Sequence, residues 1–249
     1  MQTEIYNRPS GMIGEKANST PSSGRGATAL ATIMFGVLCI FANSEMTNCV
    51  PAQAQKITLD ADLITSNVLA GNVVIDGVSN AVTTTFSANH LTTMNALKTA
   101  IELLDSDLVV TVSGTTNRVL SVECKTKSVL LSGFTVTAGL TQAGITYGLA
   151  NKIAGLAKSE HKERNADGTV THNLNDTVTI IEKGEYQAFC EDTDIDPNKD
   201  DVYVRIVPES GKTLGAIKKS ADSGKAVAVT KVRFASTVQD GMVTLALDI

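Results

Sequence analysis

The chain has no tryptophan, and aromatic residues of all kinds make up only 4% of it. That scarcity, set beside abundant Val, Thr, Ala, Ser and Gly, disfavours a helical bundle and favours strands joined by tight turns. Long basic runs are missing as well: 21 Lys and Arg face 26 Asp and Glu, for a net charge of −5. Without a concentrated basic surface to neutralise phosphates, nucleic acid is not expected as a main partner. No Cys-x-x-Cys pair occurs among Cys39, Cys49, Cys124 and Cys190. They read as small buried apolar residues of a chain made in a reducing cytosol, although an even count leaves two disulfides open.

Catalytic and cofactor signatures are scarce too. The three histidines, His90, His161 and His172, stand in no ligand spacing such as His-x-x-x-His. His90, near an expected helix start, reads as a surface or capping residue. No Gly-x-Ser-x-Gly elbow, Walker loop or Gly-x-Gly-x-x-Gly turn follows a strand. No catalytic residue, cofactor site or metal site can be nominated, so an enzyme is not expected. The one tempting cluster is Asp192-Thr-Asp-Ile-Asp-Pro-Asn-Lys-Asp-Asp201, whose alternating carboxylates resemble the opening of a calcium loop. Counting from Asp192, the positions where an EF-hand needs Gly and Glu hold Pro197 and Tyr203. The stretch reads as a solvated loop before a strand at Val202, with adventitious calcium binding as the alternative.

What is present is enough for a real core: 249 residues, 43% of them hydrophobic, fit one large or two small domains. Residues 1–26 are rich in Gly, Pro, Ser and Asn and show no periodicity, which makes them an extended N-terminal arm. Ordering such a segment costs roughly 1 to 2 kcal/mol per residue in backbone entropy, so it is expected to lie against another subunit. Folding back on its own barrel is the alternative. The apolar run at 27–42 followed by Pro51-Ala-Gln-Ala54 imitates a secretory leader with its cleavage site. However, Glu4 and Glu15 offset Arg8, Lys16 and Arg25, and the gap from Ala42 to Ala54 is too long. The run is also short of the roughly 20 residues of a membrane span and carries Thr28, Thr32 and Gly36. It reads as one or two buried strands, and no membrane is expected as a partner.

From residue 57 to 139 the pattern suggests a small α+β domain inserted in a larger one. Residues 69–78 read as a strand ending in the turn pair Asp76-Gly77. Ser87 or Asn89 can cap a helix over about 88–104, whose core face holds Leu91, Met94, Leu97, Ile101 and Leu104. Strands follow at 108–113, 118–125 and 129–136, the first two joined by a turn at Gly114-Thr-Thr-Asn117. Beyond about residue 140, short strands are expected at 153–161, 169–174, 177–181, 185–190, 202–207, 226–234 and 242–247. Arg164-Asn-Ala-Asp-Gly168 supplies a turn between the first two, and residues 149–158 could equally form a helical turn. This spacing suggests a barrel or sandwich. The expected fold is thus mainly β: a barrel or sandwich built from 27–56 and 140–249, with the arm at 1–26 and the insertion at 57–139.

Several stretches carry a resemblance. Asp200-Asp-Val-Tyr-Val-Arg-Ile-Val207, Gly211-Lys-Thr-Leu-Gly-Ala-Ile217, Ser220-Ala-Asp-Ser-Gly-Lys-Ala-Val-Ala-Val229, Val232-Arg-Phe234 and Gly241-Met-Val-Thr-Leu-Ala-Leu247 resemble the carboxyl-terminal pattern of the tailed-bacteriophage capsid cement, or head decoration, family. Asn7-Arg-Pro-Ser-Gly-Met-Ile-Gly14 is similar to the arm of those proteins. The resemblance implies a β-barrel or sandwich subunit on the outer capsid surface, with the major capsid protein and its own copies as partners, trimers before dimers. It implies no cofactor and no catalytic residue. On this reading Tyr6, Arg8, Pro9, Met12 and Ile13 of the arm touch the capsid, and the insertion faces outward. A tail or baseplate component and a secreted carbohydrate-binding or adhesin module are the rival readings; the latter requires the apolar run to be a leader.

Overall fold

The computed structural model describes residues 23–42, 46–137, 143–158 and 171–249. The chain enters it through β1 (Ser23–Ala29), β2 (Ile33–Met34), β3 (Leu38–Phe41) and β4 (Asn48–Pro51). The apolar run therefore forms three strands, more than the one or two expected, because Gly36 at φ 73° turns the chain between β2 and β3. Its unbroken hydrophobicity comes from burial on both faces. Cys39 packs with Ala27, Ala29 and Cys49, while Leu38 and Ile40 on the opposite face join a different core with Val50 and Ile206.

β5 (Lys56–Leu59) opens a second unit, followed by β6 (Val68–Ile75) and β7 (Val78–Thr85). These last two form a hairpin over Asp76-Gly77, whose φ values of 49° and 81° suit the right-handed twist of the strands. Then come α1 (His90–Glu102), β8 (Leu108–Ser113), β9 (Val119–Cys124), β10 (Val129–Thr137) and β11 (Ile145–Gly148). One sheet runs β10-β6-β7 and another β11-β5-β9-β8, with α1 packed on β7 and β8. Leu69, Val73, Leu97, Leu120 and Leu131 fill the space between them. β11 pairs with β5 rather than with a barrel strand.

Asn89 caps α1, its side chain accepting the Thr92 amide at 2.9 Å; Ser87 instead donates its own amide to Thr93 Oγ1. Met94, Leu97 and Ile101 are buried as the spacing requires, but Leu91 is 43% exposed. The buried stripe starts at His90, four residues before Met94, which turns Leu91 away from it. Replacing Asn89 by alanine is expected to cost about 1 kcal/mol. A urea unfolding midpoint identical to that of the parent would show that the cap contributes nothing.

The chain returns through β12 (Ile153–Ala157), β13 (Thr171–His172) and β14 (Thr177–Phe189). Residues 153–157, within the segment where helix and strand were both open, are strand. β14 is one continuous strand where the sequence pattern separates two, because Gly184 at φ 118° carries the ladder through. β12 and β13 pair with β3 and β2 and not with each other; the turn expected at 164–168 lies outside the described residues. β15 (Tyr203–Arg205), β16 (Ile217–Lys218), β17 (Ala226–Ala228), β18 (Val232–Phe234) and β19 (Met242–Asp248) complete the chain. The expected strand at 226–234 is thus two, parted at Lys231, which takes φ 63°.

The fold is mainly β. Its centre is a closed ring of five strands, β1-β4-β3-β12-β14, sealed by pairing of β14 back onto β1. So few strands enclose a narrow space, and its core is rich in small side chains, Ala27, Ala29, Cys39, Cys49, Ala154, Ala157 and Val178, packed with Ile33, Val37 and Ile180. Sheet β16-β15-β17 lies against the ring, held by Leu38 N–H donating to the Gly215 carbonyl at 2.9 Å. Residues 52–55, which overlap the Pro51–Ala54 stretch that imitates a cleavage site, are buried where the parts meet. There the Ala54 amide donates to Ile206, the Ala54 carbonyl accepts from Leu131, and the Gln53 side chain donates to Ser128 and Val129.

Candidate functional site

The chemistry-bearing side chains are tied up structurally. His90 is buried rather than on the surface: Nδ1 accepts the Leu63 amide at 2.9 Å and Nε2 lies 3.1 Å from the Asn117 carbonyl. It links the helix to two loops. His172 is fully buried against the Phe35 ring with Nε2 3.1 Å from the Lys158 carbonyl. All four cysteines are free and buried. Desolvation pushes Cys49 up to about 12 and Cys190 up to about 11, keeping both as inert thiols. In the acidic loop, Asp192 accepts from Lys218 and from the Lys219 amide, Asp194 pairs with Lys219, and Asp200 accepts the Asp196 amide. These carboxylates face lysines and backbone, and among the described residues no group of three His, Cys, Asp or Glu side chains is arranged to hold a metal ion.

A cluster of charges lies behind the strands and was not foreseen from the sequence. The Arg205 side chain on β15 is 1% exposed and its guanidinium meets three carboxylates. Nε donates to Glu191 at 2.8 Å, Nη2 to Asp222 at 2.7 Å and Nη1 to Glu209 at 3.2 Å. Glu191, 4% exposed, also accepts the Thr213 amide at 2.9 Å. Lys218 approaches Asp192 and Asp222 at 3.2 and 3.6 Å, and Lys225 pairs with Glu209 at 2.7 Å. Every carboxylate is answered by a cation, so the cluster pins three loops to one strand.

Where β3 finishes and β12 begins, the surface of the ring opens into a shallow groove. One cleft of about 380 Å³ has Phe41, Ile153 and Ala154 on its floor, with Arg25 and Glu182 beside them. Arg25 pairs with Glu182 and places its guanidinium 5.6 Å over the Phe41 ring. A second cleft of about 500 Å³, lined by Leu149 and Val229, shares Lys152, Ile153 and Ile249 with the first. The two form one continuous apolar trough edged by Lys152 and Lys231. The arm residues expected to make contacts, Tyr6, Arg8, Pro9, Met12 and Ile13, lie outside the described residues.

Residues 109–248, more than half of the chain, match the model of a phage family described as structural cement protein (E217 gp24/Pam3 gp6). The chain belongs to this cement family. No curated protein matches it. Membership makes the protein a structural component associated with the phage capsid. The matched segment holds β9 to β19 and the whole Arg205 cluster, but it lacks β1, β3 and β4. The cement barrel therefore closes only with strands from the part that precedes the match. Of the cluster, the sequence pattern singled out the stretches containing Arg205 and Asp222 without assigning those residues a role; Glu191 carried no local signal, since its partners are distant along the chain, and Glu209, four residues from Arg205, lies in a loop where that spacing implies no contact.

Proposed function

We propose that the protein is a cement subunit that binds the outer surface of the major capsid protein lattice and stabilises the DNA-filled head, with no catalytic activity. Membership of the cement family over 109–248 is the observation that carries this reading. The subunit works as a homo-oligomer, trimeric before dimeric, assembled on heads in the host cytoplasm. Its barrel faces the shell, the α+β unit faces outward, and the arm touches the capsid through Tyr6, Arg8, Pro9, Met12 and Ile13 and reaches neighbouring subunits. Spreading contact over something on the order of 1,000 to 2,000 Å² per junction resists internal pressure through area alone. The placement of the apolar run in β1, β2 and β3 favours this reading over a secreted adhesin, which needs that run as a leader.

The test is to add the purified full-length chain to expanded heads lacking it and measure occupancy by sedimentation and imaging. Saturable binding at defined lattice positions is expected, together with greater resistance of the filled heads to heat. Heads that remain bare at saturating protein would sink the proposal.

A further inference from the structure

The geometry points to the apolar trough beside β12 as the docking site for the N-terminal segment of a second copy of this chain, with Met12 and Ile13 as the side chains that fill it. This rests on the cement reading only in that it names one partner of the arm. The trough combines apolar side chains, Phe41, Ile153 and Val229, with Lys152 and Lys231 at its edges and the Arg25–Glu182 ion pair at one end. Residues 1–22 bring matching apolar side chains: Met12-Ile13 is their last pair of large ones before β1, with the charges of Glu15 and Lys16 following and offsetting each other. Between Ile13 and Ser23 the sequence is Gly-Glu-Lys-Ala-Asn-Ser-Thr-Pro-Ser, which offers nothing comparable to fill an apolar cleft.

Reach favours a neighbour over the same chain. Arg25, near the start of β1, lines the trough, so the described chain begins beside it. Extended, the stretch from Ile13 to Ser23 covers roughly 33 Å at about 3.3 Å per residue. A ring of five strands spaced about 4.8 Å apart is only roughly 10 Å across. An arm of this length overshoots its own trough unless it doubles back, and it suits the same trough on an adjacent subunit. An exchanged segment of this kind links copies without a large preformed interface.

The test uses two full-length single variants, Met12→Cys and Lys152→Cys. Lys152 is exposed and the four native cysteines are buried and free, so the new thiols dominate the chemistry. Mixed under mild oxidation, the two variants are expected to yield a disulfide-linked species of two chains that neither forms with the parent. An intrachain bond in the double variant without interchain product would overturn the proposal by assigning the trough to its own arm, and no cross-link of either kind would overturn it outright. Independently, Met12→Asp with Ile13→Asp should weaken self-association about tenfold or more, because a charge enters an apolar contact. Unchanged mass by light scattering, with an unchanged circular dichroism spectrum, would count against it. Cross-linking without head binding would spare this inference and remove the cement reading; head binding without cross-linking would do the reverse.

Discussion

Replacing Arg205 by alanine is expected to lower the unfolding free energy by about 3 to 5 kcal/mol, because it leaves a buried carboxylate without its counter-charge. Glu191 is the group stranded: at 4% exposure it cannot be rehydrated in place, and Lys218, 3.9 Å away, is its only other cation among the described residues. Asp222 and Glu209 are better off, since Lys218 and Lys225 still reach them. Pairing the change with Glu191→Gln should recover part of the loss, and the double-mutant cycle on urea midpoints measures the coupling. If Arg205→Ala alone costs less than about 1 kcal/mol, comparable to an exposed pair, the cluster is not what fastens these loops.

The same cluster makes stability depend on pH in one direction. Asp222 is held below the usual carboxylate range: burial opposes this, but the Arg205 hydrogen bond and the Lys218 and Arg205 charges outweigh it. Glu209 is lowered chiefly by its hydrogen bond from Lys225. A group lowered on folding stabilises the native state above its unfolded pKa, and that contribution disappears as the pH falls through the folded value. The protein should lose stability through the acid range below the ordinary carboxylate pKa, and Arg205→Ala should flatten that slope.

The second large effect is expected at Gly155 on β12. A Cβ there would stand 2.2 Å from the Ile181 carbonyl oxygen, on a backbone at φ 154°. Both the oxygen and the strand carrying it are fixed, since β12 meets β14 at this point to close the ring. Gly155→Ala should therefore destabilise by about 3 kcal/mol or more, combining backbone strain with overpacking. Gly211→Ala is the control: its φ of 72° is also positive, but nothing lies within 4 Å of the added carbon, so about 1 kcal/mol is expected. Equal melting temperatures for the two variants would mean that the approach of β12 to β14 is not constrained as described.

What the sequence alone determined is what rests on neighbours along the chain. The Met94, Leu97 and Ile101 stripe marked α1, Asp76-Gly77 marked its hairpin turn, and the ordered stretches from Asp200 to Leu247 carried the cement resemblance. Periodicity is legible when one face of an element is buried, as in α1, and it vanishes when both are. That is why the run through Leu38, Cys39 and Ile40 looked like a leader: one side faces the ring interior and the other a second core. Tertiary structure alone decided that His90 rather than Leu91 turns inward, since the partners of His90 are Leu63 and Asn117 in distant loops. It likewise decided that Arg205 is buried, because Glu191 and Asp222 meet it through space from separate loops. A buried charge is stable only where its counter-charges converge, and convergence is a property of the folded chain.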